Sequence, residues 1–161
     1  MASYHPRRRD KEILDQEQLT GILKAGKYMT LALARVDEPY IVTLSYGYDR
    51  DSGNVYFHSS NHGDKLDFIR ANGRVCATVI QDRGYLDGKC DHDYASLVIR
   101  GRMAVVTDLA EKKHALLTLL GHLEKDPQPI LERNIKNDAS YDAVTILRLD
   151  IDSLRGKAYS A

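Results

Sequence analysis

The stretch 28–59 restricts this chain more than any other, because three β-type runs follow one another there with no room for a helix between them. Residues 28–36 (YMTLALARV) alternate, with Met29, Leu31 and Leu33 on one side and Tyr28, Thr30, Ala32 and Ala34 on the other. Residues 40–48 (YIVTLSYGY) are rich in β-branched and aromatic side chains, and residues 55–59 (VYFHS) form a third run. The connections, Asp37-Glu38-Pro39 and residues 49–54 (DRDSGN), are turn sequences of hairpin length. Parallel neighbours need a crossover of about a dozen residues or more, so these runs are expected to pair antiparallel. A doubly wound parallel sheet does not fit.

The flanking patterns complete the expected order. Asp15 is placed to cap a first helix, with Gln18 as its reciprocal partner, Leu19, Ile22 and Leu23 on one face, and Gly26 closing it. Residues 64–71 (DKLDFIRA) read as a second, short helix ended by Asn72-Gly73. Residues 74–81 form a fourth strand, 83–93 a polar loop, and 94–106 a fifth strand in which Gly101 marks a bulge or bend. Asp108 and Glu111 suggest a capping box opening a helix that runs to Leu123, and a shorter helix is expected over 129–136. Residues 141–152 are the last strand, and 153–161 a tail. The expected fold class is α+β and mainly β: an antiparallel barrel or strongly bent sheet with flanking helices. One domain is expected over residues 1–161, with 1–12, including Arg7-Arg8-Arg9, as a basic, flexible arm.

Charge and composition narrow the partners. The chain carries 23 basic and 23 acidic side chains, and this zero net charge argues against a nucleic-acid partner bound through bulk charge. Apolar runs such as residues 116–120 are far below the roughly 20 residues that span a bilayer, so no membrane association is expected. Two cysteines are too few for a disulfide framework, and no apolar stretch follows the basic N-terminus. A cytoplasmic location is expected.

The segment 57–65 (FHSSNHGDK) is the best candidate for chemistry. It leaves a strand and enters a helix through hydrogen-bonding residues: Ser59, Ser60 and Asn61 offer donors, Gly63 lets backbone approach a ligand, and Lys65 falls in the first helical turn. Hydroxyls, a cation and free N–H groups at a helix start suit a phosphate monoester; an ordinary capped turn would use the same residues. His58 lies within the strand and His62 in the turn. Cys90-Asp91-His92-Asp93 has metal-ligand character but lacks the second ligand pair of a structural zinc site, so no metal is expected. No P-loop, dinucleotide glycine fingerprint or nucleophile elbow is present.

Five stretches, RRRDKEI, ILKAGKYMTLALARVDEPYIVTLSYGYD, VYFHSSNHGDKLDFIRANGRVCATV, YASLVIRGRM and ILRLDIDSLRGKAYS, follow one another over roughly residues 7–158 with the spacing of a known group. The chain resembles the FMN-binding split-barrel superfamily that includes pyridoxamine 5′-phosphate oxidase, and is most similar to its nitroimidazole-resistance (Nim) branch. The resemblance implies a six-stranded antiparallel split β-barrel of Greek-key type that forms a homodimer, with FMN in clefts between the subunits. It implies that Val42, Thr43, Leu44 and Ser45 lie along the flavin ring, partly through their main chain. It puts His58 and Ser59 near the ribityl phosphate or ring edge, with His58 as catalytic candidate. Lys65 would neutralise the phosphate, with Asn61, His62 and Gly63 in the same loop. Ser96 would reach the phosphate from another strand, and Lys157 would approach the partner's flavin. The Arg-x-His substrate motif of the oxidases is absent from the C-terminal segment, and the Trp of many Nim relatives is replaced by a region carrying His92 and Tyr94. The vitamin B6 reaction is therefore not expected.

The implied function is an FMN-dependent oxidoreductase of nitroreductase-like type, passing electrons to a small-molecule substrate such as a nitroaromatic or quinone. A deazaflavin could use the same phosphate corner. The alternative is a non-catalytic sensor or storage module holding flavin or haem, with His58 or His62 as axial ligand.

Overall fold

The computed structural model describes residues 8–160. Its elements in chain order are β1 (Glu12–Ile13), α1 (Gln16–Ala25), β2 (Tyr28–Arg35), β3 (Glu38–Ser45), β4 (Gly47–Tyr48), β5 (Val55–Ser59), α2 (Asp64–Ala71), β6 (Arg74–Leu86), β7 (Asp91–Val105), α3 (Leu109–Leu123), α4 (Gln128–Asn134) and β8 (Thr145–Tyr159), with 3-10 turns at Arg9–Lys11 and Asp138–Ala143. The strands are antiparallel in the order β3-β2-β6-β7-β8-β5-β4, and β1 pairs with β8. β3 and β4, the two ends of that path, are consecutive pieces of one segment joined through Tyr46. The sheet therefore wraps until its ends meet at Tyr46 without a continuous ladder between them, giving the expected split barrel.

Alternation drives the curl. Met29, Leu31 and Leu33 of β2, Phe57 of β5, Leu97 and Ile99 of β7, and Leu147 and Leu149 of β8 all point inward and are essentially inaccessible to solvent. Burial of each such side chain contributes about 1.5–3 kcal/mol. Leu66, Phe68 and Ile69 of α2 close the interior beside β2 and β3. α3 lies on the outer side, where Ala115 packs with Tyr56, Val106 and Ile146.

Several expectations are corrected. Residues 83–93 are not a polar loop: β6 and β7 continue as a hairpin through Tyr85↔His92 and Leu86↔Asp91. The 153–161 tail is largely strand, because β8 runs to Tyr159 along β7, while residues 141–143 fall in a 3-10 turn. Within the expected arm, residues 9–11 form a 3-10 turn, Glu12 and Ile13 pair with Lys157 and Gly156, and Lys11 donates to Asp91 at 2.9 Å while sitting 3.8 Å from the Tyr159 ring centroid. Residues 1–7, with Arg7, lie outside the described residues. Asp108 does accept from the Glu111 N–H, but the Glu111 carboxylate turns to Arg148 at 2.7 Å and pins α3 to β8. Gly26 does stand at the end of α1, yet its φ is −70°. It is there for room: a Cβ would lie 2.4 Å from the Tyr46 hydroxyl oxygen.

Candidate functional site

The corner where β5 gives way to α2 gathers the segment's polar side chains. Ser59 and Thr145, the buried polar residues among those described, face each other across the β5–β8 ladder. Lys65 Nζ donates to Ser59 Oγ at 2.7 Å, and the Ser59 hydroxyl donates to the Ser60 carbonyl at 3.0 Å. Thr145 donates to Asn61 Oδ1 at 2.7 Å, and Asn61 Nδ2 donates to the Asp142 carbonyl at 2.8 Å. Asn61 therefore staples the loop to the start of β8. Ser60 donates to the His62 carbonyl at 2.8 Å, tightening the same turn.

α2 is presented by its own packing. Phe68 stacks on Tyr40 of β3 at 5.0 Å, and the Arg35 guanidinium lies 4.7 Å from the Phe68 ring centroid. No side chain caps the N-terminus of α2; the Leu66 N–H donates to the Gly63 carbonyl at 2.9 Å, which leaves the Asp64 and Lys65 N–H groups for solvent or ligand. Gly63 precedes it with φ 123°, a conformation that L side chains rarely adopt, and a Cβ there would meet nothing within 4 Å. A cation, two hydroxyls, free backbone donors and open space thus converge. That set complements a phosphate dianion, with the helix dipole adding up to about 2 kcal/mol in favourable geometry.

The other sequence-predicted residues fall into separate groups. Among the described residues β3 pairs only with β2, so one main-chain margin of Val42, Thr43, Leu44 and Ser45 stands outside the ladder. Val42 and Leu44 lean against the core, whereas Thr43 turns outward, its Oγ1 2.9 Å from Thr30 Oγ1. His58 is exposed on the face of β5 opposite Ser59, and His62 is exposed in the turn. Ser96 and Lys157 are register partners on the outer face of β7 and β8, with Lys157 Nζ 5.4 Å from the Tyr94 ring centroid. Thr145 and Lys157 stand near opposite ends of the 15-residue β8, a length of roughly 50 Å when extended. One chain therefore does not unite Lys65 with Lys157.

In the Cys90-Asp91-His92-Asp93 run, Asp91 accepts from Lys11, Asp93 from Arg83 at 2.6 Å, and His92 packs edge-on against Tyr85. Thr145 was missed as a site residue, although a threonine among Leu147 and Leu149 on an apolar face was the signal for it. Arg70 and Lys112, which border the corner from α2 and α3, carried no motif at all.

Residues 15–158 match a family model described as pyridoxamine 5′-phosphate oxidase. Among solved structures, a candidate 5-nitroimidazole antibiotic resistance protein from Bacteroides thetaiotaomicron is 22% identical, with a TM-score of 0.77 over 96% of this chain and 95% of that one. The flavocytochrome Anf3 from Azotobacter vinelandii is 19% identical, with a TM-score of 0.82 over 98% of this chain and 73% of that one. An FAD-binding protein from Mesorhizobium loti is 26% identical, with a TM-score of 0.66 over 91% of this chain and 96% of that one.

Proposed function

This chain belongs to the pyridoxamine 5′-phosphate oxidase family, and on that premise we propose that it is a flavoprotein holding a riboflavin 5′-phosphate unit, FMN, at the corner between β5 and α2. One observation carries the reading: the Lys65 ammonium is held against Ser59 beside an uncapped helix start. That donor set fits a phosphate monoester. Relatives that bind FAD or are flavocytochromes support a flavin as the group that brings the phosphate. Lys65 and Ser59 hold the phosphate with the N–H groups of α2, and the unpaired main-chain margin of β3 from Val42 to Ser45 lies along the ring.

The site is completed by a second copy of the chain. Lys157 is too far along β8, and Ser96 beside it on β7, to serve the same subunit's corner, and they lie on an outer face suited to pairing. There the register rows Ile41-Ala32-Cys76 and Thr43-Thr30-Thr78-Val98 present uncharged side chains, bordered by Arg100 on β7 and Arg155 on β8. Ile41 is 70% exposed and Val98 48%. The homodimer therefore brings Lys157 of one subunit to the flavin of the other.

A bound flavin supplies the redox chemistry, and the protein orients the partners. The reaction we propose is reduction of a small nitroaromatic or quinone by two electrons from a diffusing donor such as a reduced nicotinamide. His58 is the candidate to hand a proton to the reduced acceptor. Purified protein is expected to take up FMN and show flavin absorption bands. Lys65→Ala removes a hydrogen bond to a charged group, worth roughly 1.5–3 kcal/mol, so its FMN affinity falls about ten- to hundredfold in a titration. An unchanged affinity removes Lys65 from the site. A Soret band in place of flavin bands supports the haem-holding module instead, and colourless protein that ignores FMN overturns both. Anaerobic reduction followed by a screen of acceptors then identifies the substrate class.

A further inference from the structure

Far from the phosphate corner, the outer face of β7 and β8 carries a patch of phenol rings and amines. Tyr94 and Tyr159 are register partners, and Ser96 and Lys157 form the next pair on the same face. Ile80, 63% exposed, stands opposite Ser96 on β6. Lys11 Nζ lies 3.8 Å from the Tyr159 ring centroid and 5.9 Å from that of Tyr94, while Lys157 Nζ lies 5.4 Å from the Tyr94 centroid.

The cations around this patch are matched, with one exception. Lys11 pairs with Asp91 at 2.9 Å, Arg83 with Asp93 at 2.6 Å, and Arg155 with Glu12 at 3.7 Å. Among the described residues, the exposed Lys157 amine forms no ion pair or hydrogen bond. The remaining carboxylate, Asp82, accepts from the Gly84 N–H at 2.9 Å and stands on β6, two strands and thus about 10 Å across the sheet from Lys157. The patch therefore offers one unmatched positive charge beside ring faces and an apolar side chain. A phenol ring is negative on its face, so it complements an electron-poor aromatic ring, and the amine complements an anionic group on that ring's edge.

We propose that this patch binds the electron acceptor, and that the acceptor is an electron-poor aromatic ring bearing a negative charge, such as a nitroaromatic carboxylate. The ring lies on Tyr94 and against Ile80, and its anionic group meets Lys157. The inference rests on the flavin reading above, in which Lys157 approaches the flavin of the partner subunit, and extends it by naming the substrate class and the residues that select it.

The test begins with calorimetric titration of the flavin-free full chain with para-nitrobenzoate and with para-nitrobenzamide, its uncharged analogue. The carboxylate is expected to bind about fivefold more tightly, the upper range for an exposed ion pair. Lys157→Met is expected to remove that preference by weakening the carboxylate alone, and Tyr94→Leu to weaken both compounds, with circular dichroism melting showing that the variants fold. Equal affinities in the unmodified protein, binding of neither compound, or a preference that survives Lys157→Met overturns the patch assignment and leaves the flavin reading standing. The flavin reading is measured apart, by flavin absorption bands on adding FMN to the unmodified protein. Failure to take up FMN overturns that reading, and with it the role of the bound anion as acceptor. In the FMN-loaded protein, Lys157→Met is expected to raise the KM for para-nitrobenzoate about fivefold relative to that for para-nitrobenzamide and to leave the ratio of their kcat values unchanged. An unchanged KM ratio overturns the patch as the acceptor site.

Discussion

His122 shows how much a single side chain can couple stability to pH here. Its ring packs 5.0 Å from Tyr46, and its Nε2 lies 2.6 Å from the Gly26 carbonyl oxygen, to which the neutral ring can donate. Burial lowers its pKa, the Gly26 carbonyl opposes that shift, and the nearby Lys27 ammonium reinforces it. The folded pKa thus lies below the value of about 6.5 expected in an unfolded chain. The associated stability is fully present above about pH 6.5 and is lost as pH falls through the folded value. The melting temperature should fall between pH 7 and pH 5, and less steeply in His122→Gln, as followed by circular dichroism. Opposite slopes would remove His122 as the source. At this scale the sequence was only partly readable. The Asp15 and Asp108 caps were legible because a short carboxylate ahead of an apolar periodic run has few other uses. The reach of Glu111 to Arg148 and the need for room at Gly26 were not, because both depend on elements distant in the chain.

Among the elements, the β7–β8 pair shows what a glycine can reveal. The register jumps between Arg100↔Ser153 and Gly101↔Ile151, which leaves Asp152 as the extra residue of a bulge. A Cβ at Gly101 would lie 2.1 Å from the Asp150 carbonyl oxygen. Gly101→Ala should therefore destabilise the protein by at least about 1–3 kcal/mol, the usual cost of overpacking. Gly21 lies within α1, where a Cβ would meet nothing within 4 Å, so Gly21→Ala should stabilise by roughly 0.5–1 kcal/mol. Denaturant unfolding of both variants checks the contrast, and equal effects would contradict it. The bulge at Gly101 was legible as a glycine inside a strand pattern. The end of β8 was not, because the extra residue resets the period-2 phase and Ser153–Tyr159 then reads as irregular. Residues 82–94 misled for a related reason: Asp82, Arg83, Tyr85 and His92 belong to strands that run on past the buried interior, so they carry no apolar alternation.

For the whole molecule, the barrel followed from local signals, since hairpin-length turns and alternating runs leave few other arrangements. The site was readable only in halves. The segment 57–65 announced its corner, but nothing in the spacing shows that Ser96 and Lys157 lie remote from it on β7 and β8. The proposed pairing of two chains resolves that separation and is open to test. A stable interface usually covers about 800 Å² on each partner, and the β2-β3-β6-β7 outer face is the surface offered. Sedimentation at micromolar concentration should give a dimer, and Ile41→Asp with Val98→Asp should give a folded monomer with weakened flavin binding. A monomeric unmodified protein, or a double variant that still pairs, would refute this face as the contact.

The register of Thr145 with Ser59 has a consequence for how the protein is made. Most of the hydrogen-bonded lining of the corner comes from residues 59–65 in the first half of the chain, and Thr145 arrives only with the final strand. During synthesis the nascent chain can form the early meander, but this corner is unfinished until β8 has emerged and docked. On the proposed flavin reading, loading is therefore a closing event of biogenesis, and a truncation that removes β8 is expected to yield a chain that takes up no flavin.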